Sequence, residues 1–272
     1  MARVKFDEKY VFAELEIVGN ALTSPVTLYL IGGAAMIKYG LKAATKDIDV
    51  LLSTREETAE LIQALLKSGY HTIQTDRLGA EYQEMLATQI LENEDGFRWD
   101  IFHEYVCRKL RLSAGMIERS KVLFEPGLLT IRLISKEDIF LFKTVTERDD
   151  DEADLLLLAR SKVDWELVLK ECMSQSREDL RCEVDLSDKL DKLGATYGLE
   201  TPIDDRISQA AQIGMEKWFE EQIIEELKKS PGTAEELQVR FKCTREILLP
   251  SLVNLEKMGR TEKENGKYIL KN

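Results

Sequence analysis

Asp47 and Asp49 are separated by one residue in the run Asp47-Ile48-Asp49-Val50-Leu51-Leu52. The run reads as a strand, and residues i and i+2 of a strand point to the same face. Both carboxylates then project together, while Ile48 and Val50 point into the core. Two carboxylates this close repel each other unless a positive charge lies between them. A hard cation that takes oxygen ligands, Mg²⁺ or Mn²⁺, answers that need. Upstream, Gly32-Gly33 follows the apolar run Val26-Thr27-Leu28-Tyr29-Leu30-Ile31 and precedes a helical stretch. The first backbone N–H groups of a helix lack helical partners, and the helix dipole favours a phosphate there. Without side chains, the two glycines let a triphosphate approach the backbone. The chemistry expected of such a set is metal-assisted transfer of a phosphorus group, in which paired ions about 4 Å apart activate one oxygen and stabilise another.

The elements that must position these residues follow from punctuation and periodicity. A first helix is expected from Glu8 to Asn20, ended by Gly19-Asn20. Pro25 introduces the buried strand Val26 to Ile31. A helix from Ala34 to Tyr39 is closed by Gly40, and Asp47 to Leu52 is the next strand. Thr54-Arg55-Glu56-Glu57 has the form of a capping box opening a helix to Lys67, with Gly69 at its end. Tyr70 to Thr75 is expected as a strand, Tyr82 to Leu91 fits neither period clearly, and Arg98 to Val106 alternates like a strand. Beyond Ser135 the pattern is helical almost throughout, to about Lys229. In the tail, Ser230-Pro231-Gly232 makes a turn and Thr233-Ala234-Glu235-Glu236 is a second capping box, opening a short helix to about Phe241. A longer helix runs from about Thr244 to Met258, and Asn265-Gly266 is a two-residue hairpin signal. Three helices and a hairpin are the order of a winged helix. The fold class expected is α/β (α+β): a small mixed sheet flanked by helices, a helical middle segment and a C-terminal winged helix. The expected divisions are 1–135, 136–214 and 215–272.

Composition removes several classes of function. Of 272 residues, 44% are hydrophobic and 32% charged, as in ordinary folded chains. No run approaches the roughly 18 apolar residues that a membrane span needs. Met1-Ala2-Arg3-Val4-Lys5-Phe6-Asp7 is charged at once and lacks the apolar core of a signal peptide, so a cytoplasmic protein without membrane partners is expected. The four cysteines, Cys107, Cys172, Cys182 and Cys243, and the two histidines, His71 and His103, show no zinc-ligand spacing. His103 lies three residues after Asp100, on the opposite face of a strand, which places it in core or solvent rather than on a metal. Trp99, Trp165 and Trp218 do not cluster and read as packing anchors. The net charge of −12 argues against broad nonspecific binding to nucleic acid. From Met215 onward, 11 acidic and 11 basic residues cancel, so the whole deficit lies in the first 214 residues.

The stretch Leu30-Ile31-Gly32-Gly33-Ala34-Ala35-Met36, followed by Thr45-Lys46-Asp47-Ile48-Asp49-Val50, resembles the DNA polymerase beta superfamily of nucleotidyltransferases. It is closest to the small prokaryotic branch of minimal nucleotidyltransferases and abortive-infection toxin-type enzymes. The resemblance covers roughly residues 25 to 160. It departs from the pattern at Ala34, where many active members carry serine. The resemblance implies a polymerase-beta-like fold, with Mg²⁺ or Mn²⁺ held by Asp47, Asp49 and a third carboxylate, Asp100, from a later strand. It implies a nucleoside triphosphate held near Gly32, Gly33, Thr45 and Lys46. It also implies that Lys143 approaches the phosphates and that Asp151 and Asp154 shape the site, with Arg148 recurring between Lys143 and Asp151 in the same block.

Two functions of different class follow. One is an ATP- or other NTP-dependent enzyme that moves a nucleoside monophosphate to an acceptor hydroxyl on a protein, a tRNA or a small molecule. The other is a regulator in which a degenerate transferase-like domain senses a ligand and the tail binds DNA or a partner. The tail's reading helix carries Arg245 and Lys257 but also Glu246 and Glu256, and Pro250 interrupts it. A DNA contact, a homodimer contact and a toxin–antitoxin partner all remain open for that neutral surface.

Overall fold

Val26–Ile31 and Asp47–Leu52 are too apolar to lie at a surface, and both are almost wholly buried. Around them the chain builds a mixed sheet. The structure is a computed structural model that describes residues 3–73, 87–146, 149–176 and 181–271. In chain order the first elements are β1 (Phe6–Asp7), α1 (Glu8–Ala21), β2 (Val26–Ile31), α2 (Gly32–Lys38), β3 (Ala44–Thr45), β4 (Asp47–Leu52) and α3 (Arg55–Lys67). There follow β5 (His71–Thr72), β6 (Gln89–Glu92), β7 (Arg98–His103), β8 (Tyr105–Val106), β9 (Leu110–Arg111), α4 (Ala114–Arg119), β10 (Lys121–Phe124) and β11 (Leu129–Leu133). The rest is α5 (Lys136–Thr144), α6 (Asp149–Ala159), α7 (Trp165–Ser176), α8 (Cys182–Tyr197), α9 (Asp204–Lys229), α10 (Ala234–Phe241), α11 (Arg245–Lys257), β12 (Thr261–Glu264) and β13 (Lys267–Leu270).

Among the described residues the main sheet has seven strands in the order β10-β11-β2-β4-β7-β6-β5. β2 runs antiparallel to β4, and β4 runs parallel to β7. Parallel neighbours need a crossover, and α3 lies between them in sequence, packed on β2, β4 and β7 and against α1. α2 packs on β2 and β4 and against α5. The expected mixed sheet flanked by helices is therefore present, and Trp99 is buried in it against Tyr70.

The register of β7 is set by a tight turn. Asn93 N–H donates to the Phe97 carbonyl at 3.0 Å, and Phe97 N–H donates to Asn93 Oδ1 at 2.9 Å. Gly96 supplies the left-handed residue at φ 82° that the turn requires. The Asn93 amide also donates to the Tyr10 hydroxyl at 2.9 Å, which ties the turn to α1.

Several local expectations change. α1 continues through Gly19 to Ala21. A side-chain carbon on Gly19 would collide with the Pro126 carbonyl, so this glycine permits close packing rather than ending the helix. α2 begins at Gly32, two residues before the expected start. At Thr54 the hydroxyl accepts from Glu57 N–H, but the Glu57 carboxylate binds the Thr54 hydroxyl and the Thr27 N–H instead of closing a capping box. The strand expected from Arg98 to Val106 breaks at Glu104, whose φ of 59° ends the extended run, and β8 pairs with β9 in a separate sheet. Of Tyr70 to Thr75, His71–Thr72 is strand and residues 74–75 lie outside the described residues, as do residues 82–86 of the ambiguous stretch. β10 and β11 complete the sheet, with β11 parallel to β2.

Residues Met1–Ile207 and Ser208–Asn272 form two compact units, each with its own apolar core. In the second, Ile223, Leu227, Leu237, Leu248, Leu252, Leu255 and Tyr268 come together. The Thr233 capping box closes fully, and Asn265-Gly266 turns the β12–β13 hairpin with both residues at positive φ. No helix among the described residues is long and apolar enough to cross a membrane.

Candidate active site

Asp47 and Asp49 alternate with Ile48 and Val50 on β4, all four buried. On the neighbouring strand, Asp100 stands directly opposite Asp49, and Arg98 directly opposite Asp47. Residues opposite one another on adjacent strands share a face, about 4.8 Å apart. The three aspartates expected from sequence therefore lie on one face of the sheet. On the other side of Asp49, its antiparallel partner is Ile31, the last residue before the glycine turn.

The turn is glycine for a reason seen in the structure. Gly32 has φ 62°, and a side-chain carbon there would lie 2.7 Å from Cγ of Asp49. Conformation and space each exclude a larger residue. At Gly33 a side-chain carbon would lie 2.5 Å from Thr45 Oγ1. The glycine pair thus makes room for the Asp49 carboxylate and the Thr45 hydroxyl. Thr45 is buried and donates to the Asp47 carbonyl at 2.9 Å, locking the corner at which β3 passes into β4. Lys46 lies beside it, half-buried, and its carbonyl accepts from Arg3 Nη2 at 3.0 Å. The other arm of Arg3 pairs with Asp47 Oδ2 at 3.0 Å.

The second block from the sequence meets the first. Ile31, Gly32, Asp49, Phe102, Val106, Phe142, Lys143, Thr146 and Asp151 line one cleft of about 30 Å³. That volume holds about two water molecules. Lys143 leaves the last turn of α5, and its ammonium lies 2.7 Å from Asp151 Oδ1 and 2.8 Å from Asp154 Oδ2. Thr146 donates to Asp151 Oδ2 at 2.6 Å. Asp154 in turn reaches Lys42 Nζ at 2.8 Å. Burial alone would push the Lys143 ammonium toward neutrality. The two aspartates outweigh it and hold Lys143 above the ordinary lysine pKa. α5 is itself anchored at its start, where Arg119 donates to buried Asp138 at 2.9 Å and to Glu171 at 2.7 Å. Arg148 lies outside the described residues.

Arg3, Lys42, Thr146 and the apolar wall of Phe102 and Phe142 were not among the residues expected from sequence. Lys42 and Asp154 are 112 residues apart, and nothing in either neighbourhood announces the other. Phe102 had a signal, because it follows Asp100 by two residues and so shares its face.

By donor type the three aspartates fit a hard divalent cation, since all offer carboxylate oxygens. The space kept open at Gly32 serves the same carboxylate. Among the described residues, however, no three acidic, histidine or cysteine side chains already form a closed ligand cluster. Asp47 is turned to Arg3 instead.

The family model described as a nucleotidyltransferase of unknown function, DUF6036, matches residues 9–191, which is more than half of the chain. The chain belongs to this family. The match spans the glycine turn, the three aspartates and the Lys143 block, and it ends before the second unit. No curated protein matches the chain closely. The crystal structure of JHP933 from Helicobacter pylori is similar at 16% identity with a TM-score of 0.34, covering 79% of this chain and 94% of that one.

Proposed function

We propose that the protein is a metal-dependent nucleotidyltransferase that moves a nucleoside monophosphate from a nucleoside triphosphate to an acceptor hydroxyl. The observation that carries this reading is the row Ile31–Asp49–Asp100 across β2, β4 and β7, with Gly32 opening directly over Asp49. Asp47, Asp49 and Asp100 would hold Mg²⁺ or Mn²⁺. The cation, when bound, neutralises phosphate charge and eases deprotonation of the acceptor. The acceptor oxygen forms a bond to the α-phosphorus, the bond to the bridging α,β-oxygen breaks, and pyrophosphate leaves with that oxygen. Asp100 takes the acceptor's proton. Gly32 and Gly33 admit the triphosphate to the backbone, with Thr45 and Lys46 at the edge of the turn. Lys143 offers positive charge to the transferred group, held in place by Asp151 and Asp154. The protein's contribution is positioning and charge neutralisation. The acceptor is a protein, a tRNA or a small molecule.

We propose further that Ser208–Asn272 is a winged helix, supported by its order of helices and terminal hairpin. The decisive experiment incubates purified protein with each α-labelled nucleoside triphosphate, Mg²⁺ or Mn²⁺, and cell extract. Label transfer that is lost in Asp49→Asn and Asp100→Asn supports the reading. No transfer with any nucleotide from folded protein that also binds no metal would overturn it.

A further inference from the structure

The exposed side of α11 carries Glu246, Pro250, Val253 and Lys257. Their spacings are four, three and four residues. At 3.6 residues per turn they form one stripe along the helix. Leu248, Ser251, Leu252 and Leu255 occupy the opposite side and are buried in the unit's own core. Beside the stripe, Ile247 is 56% exposed and Val253 within it is 42% exposed. This is a solvent-facing apolar centre with an acid at one end and a base at the other.

The spacing reads the same in both directions. A two-fold axis between positions 251 and 252 places Pro250 against Val253 of the partner subunit and Glu246 against Lys257 of the partner subunit, twice over. Such self-complementarity is what an isologous contact requires. Antiparallel helices meeting through a stripe of this period pack at about 20°. Charge favours the same occupant. The residues from Met215 onward are electrically neutral, whereas the preceding 214 carry the entire −12. A contact between two copies is least repulsive through the neutral unit. Duplex DNA finds no basic face here, since Glu246 stands in the first turn of the helix.

We propose that α11 is the contact through which two copies of this chain associate. One helix pair falls below the roughly 1,200 Å² of a stable interface, so the dimer is weak and concentration-dependent. This inference does not rest on the transfer reaction.

The test is sedimentation of the full-length chain over a concentration series on the order of 1 to 100 µM, the range in which a contact of this size exchanges. The parent is expected to pass reversibly from monomer to dimer. Glu246→Lys alone sets lysine against lysine, and Lys257→Glu alone sets glutamate against glutamate. Each is expected to weaken association by at least about tenfold. The two single variants mixed in equal amounts restore both opposite-charge contacts and form a heterodimer. The double variant, with the charges exchanged, dimerises like the parent. A misfolded variant would not be rescued by mixing, so the rescue separates contact from stability. A parent that stays monomeric throughout, a dimer indifferent to the single variants, or a mixture that stays monomeric would each overturn the proposal. So would duplex DNA binding that the stripe variants abolish in a chain that does not self-associate.

Discussion

Asp100 stands opposite Asp49 on a parallel neighbouring strand, so two carboxylates that are 51 positions apart in the chain share one face of the sheet. Without a cation between them their charges repel. Asp49→Asn and Asp100→Asn should each reduce nucleotide transfer by about a hundred- to a thousandfold, the scale for losing a charge-stabilising group. Transfer assays read the effect, and thermal unfolding checks that each variant is folded. Preserved transfer in either variant would remove these residues from the chemistry.

Gly32→Ala should destabilise the fold by about 1–3 kcal/mol, because the position is left-handed and the added carbon meets the Asp49 carboxylate. Urea unfolding measures the cost. Transfer should fall further than stability explains, since the carboxylate itself must move.

Arg3 pairs with Asp47 at 3.0 Å. If Asp47 is a ligand, a cation must displace that guanidinium. Arg3→Ala should then tighten Mn²⁺ binding by about three- to tenfold, the scale of a modest, partly solvent-screened ion pair. Calorimetric titration is the measurement. Unchanged or weakened affinity would show that Arg3 and the metal do not compete.

Lys143→Met removes the positive charge between two buried carboxylates and should cost about 3–5 kcal/mol. Adding Asp151→Asn should recover a large share of that loss. A double-mutant cycle in denaturant gives the coupling. Near-additive losses would mean the pair is screened.

Tyr39 gives a pH signature. Burial first, then the nearby Glu137 and Asp138, push its phenol up to about 12, while its hydroxyl donates to the Ile134 carbonyl at 2.8 Å. The raised value means the folded state keeps a proton that the unfolded chain releases from about pH 10 upward. The stability contribution is complete below about pH 10 and is lost as pH rises toward 12. Unfolding midpoints measured across this window should fall, and Tyr39→Phe should fall less steeply. Tyr10, also pushed up to about 12, adds a parallel contribution.

The sheet's centre was legible in the sequence because β2 and β4 are short, apolar and sharply punctuated by Pro25, Gly32 and Gly33. The same-face placement of Asp47 and Asp49 follows from strand alternation alone. The join of Asp100 to Asp49 required a register across strands, which composition does not encode locally. The Lys42–Asp154 pair and the closeness of Arg3 to Asp47 depend on tertiary packing between distant segments. β10, Lys121–Phe124, lacks an alternating signal, whereas β11 alternates plainly as Leu129-Thr130-Ile131-Arg132-Leu133 but is only five residues long. Gly19 looked like a stop because glycine at a packing contact and glycine at a helix end are the same letter.

The turn from Asn93 to Phe97 sits at a hairpin end, away from the row of aspartates in the chain, and it decides which face of β7 carries Asp100. A strand slipped by one residue would present Trp99 where Asp100 stands. Tolerance to insertion should therefore be poor in this short stretch, and a scan of added residues would mark it as sharply as the aspartates themselves.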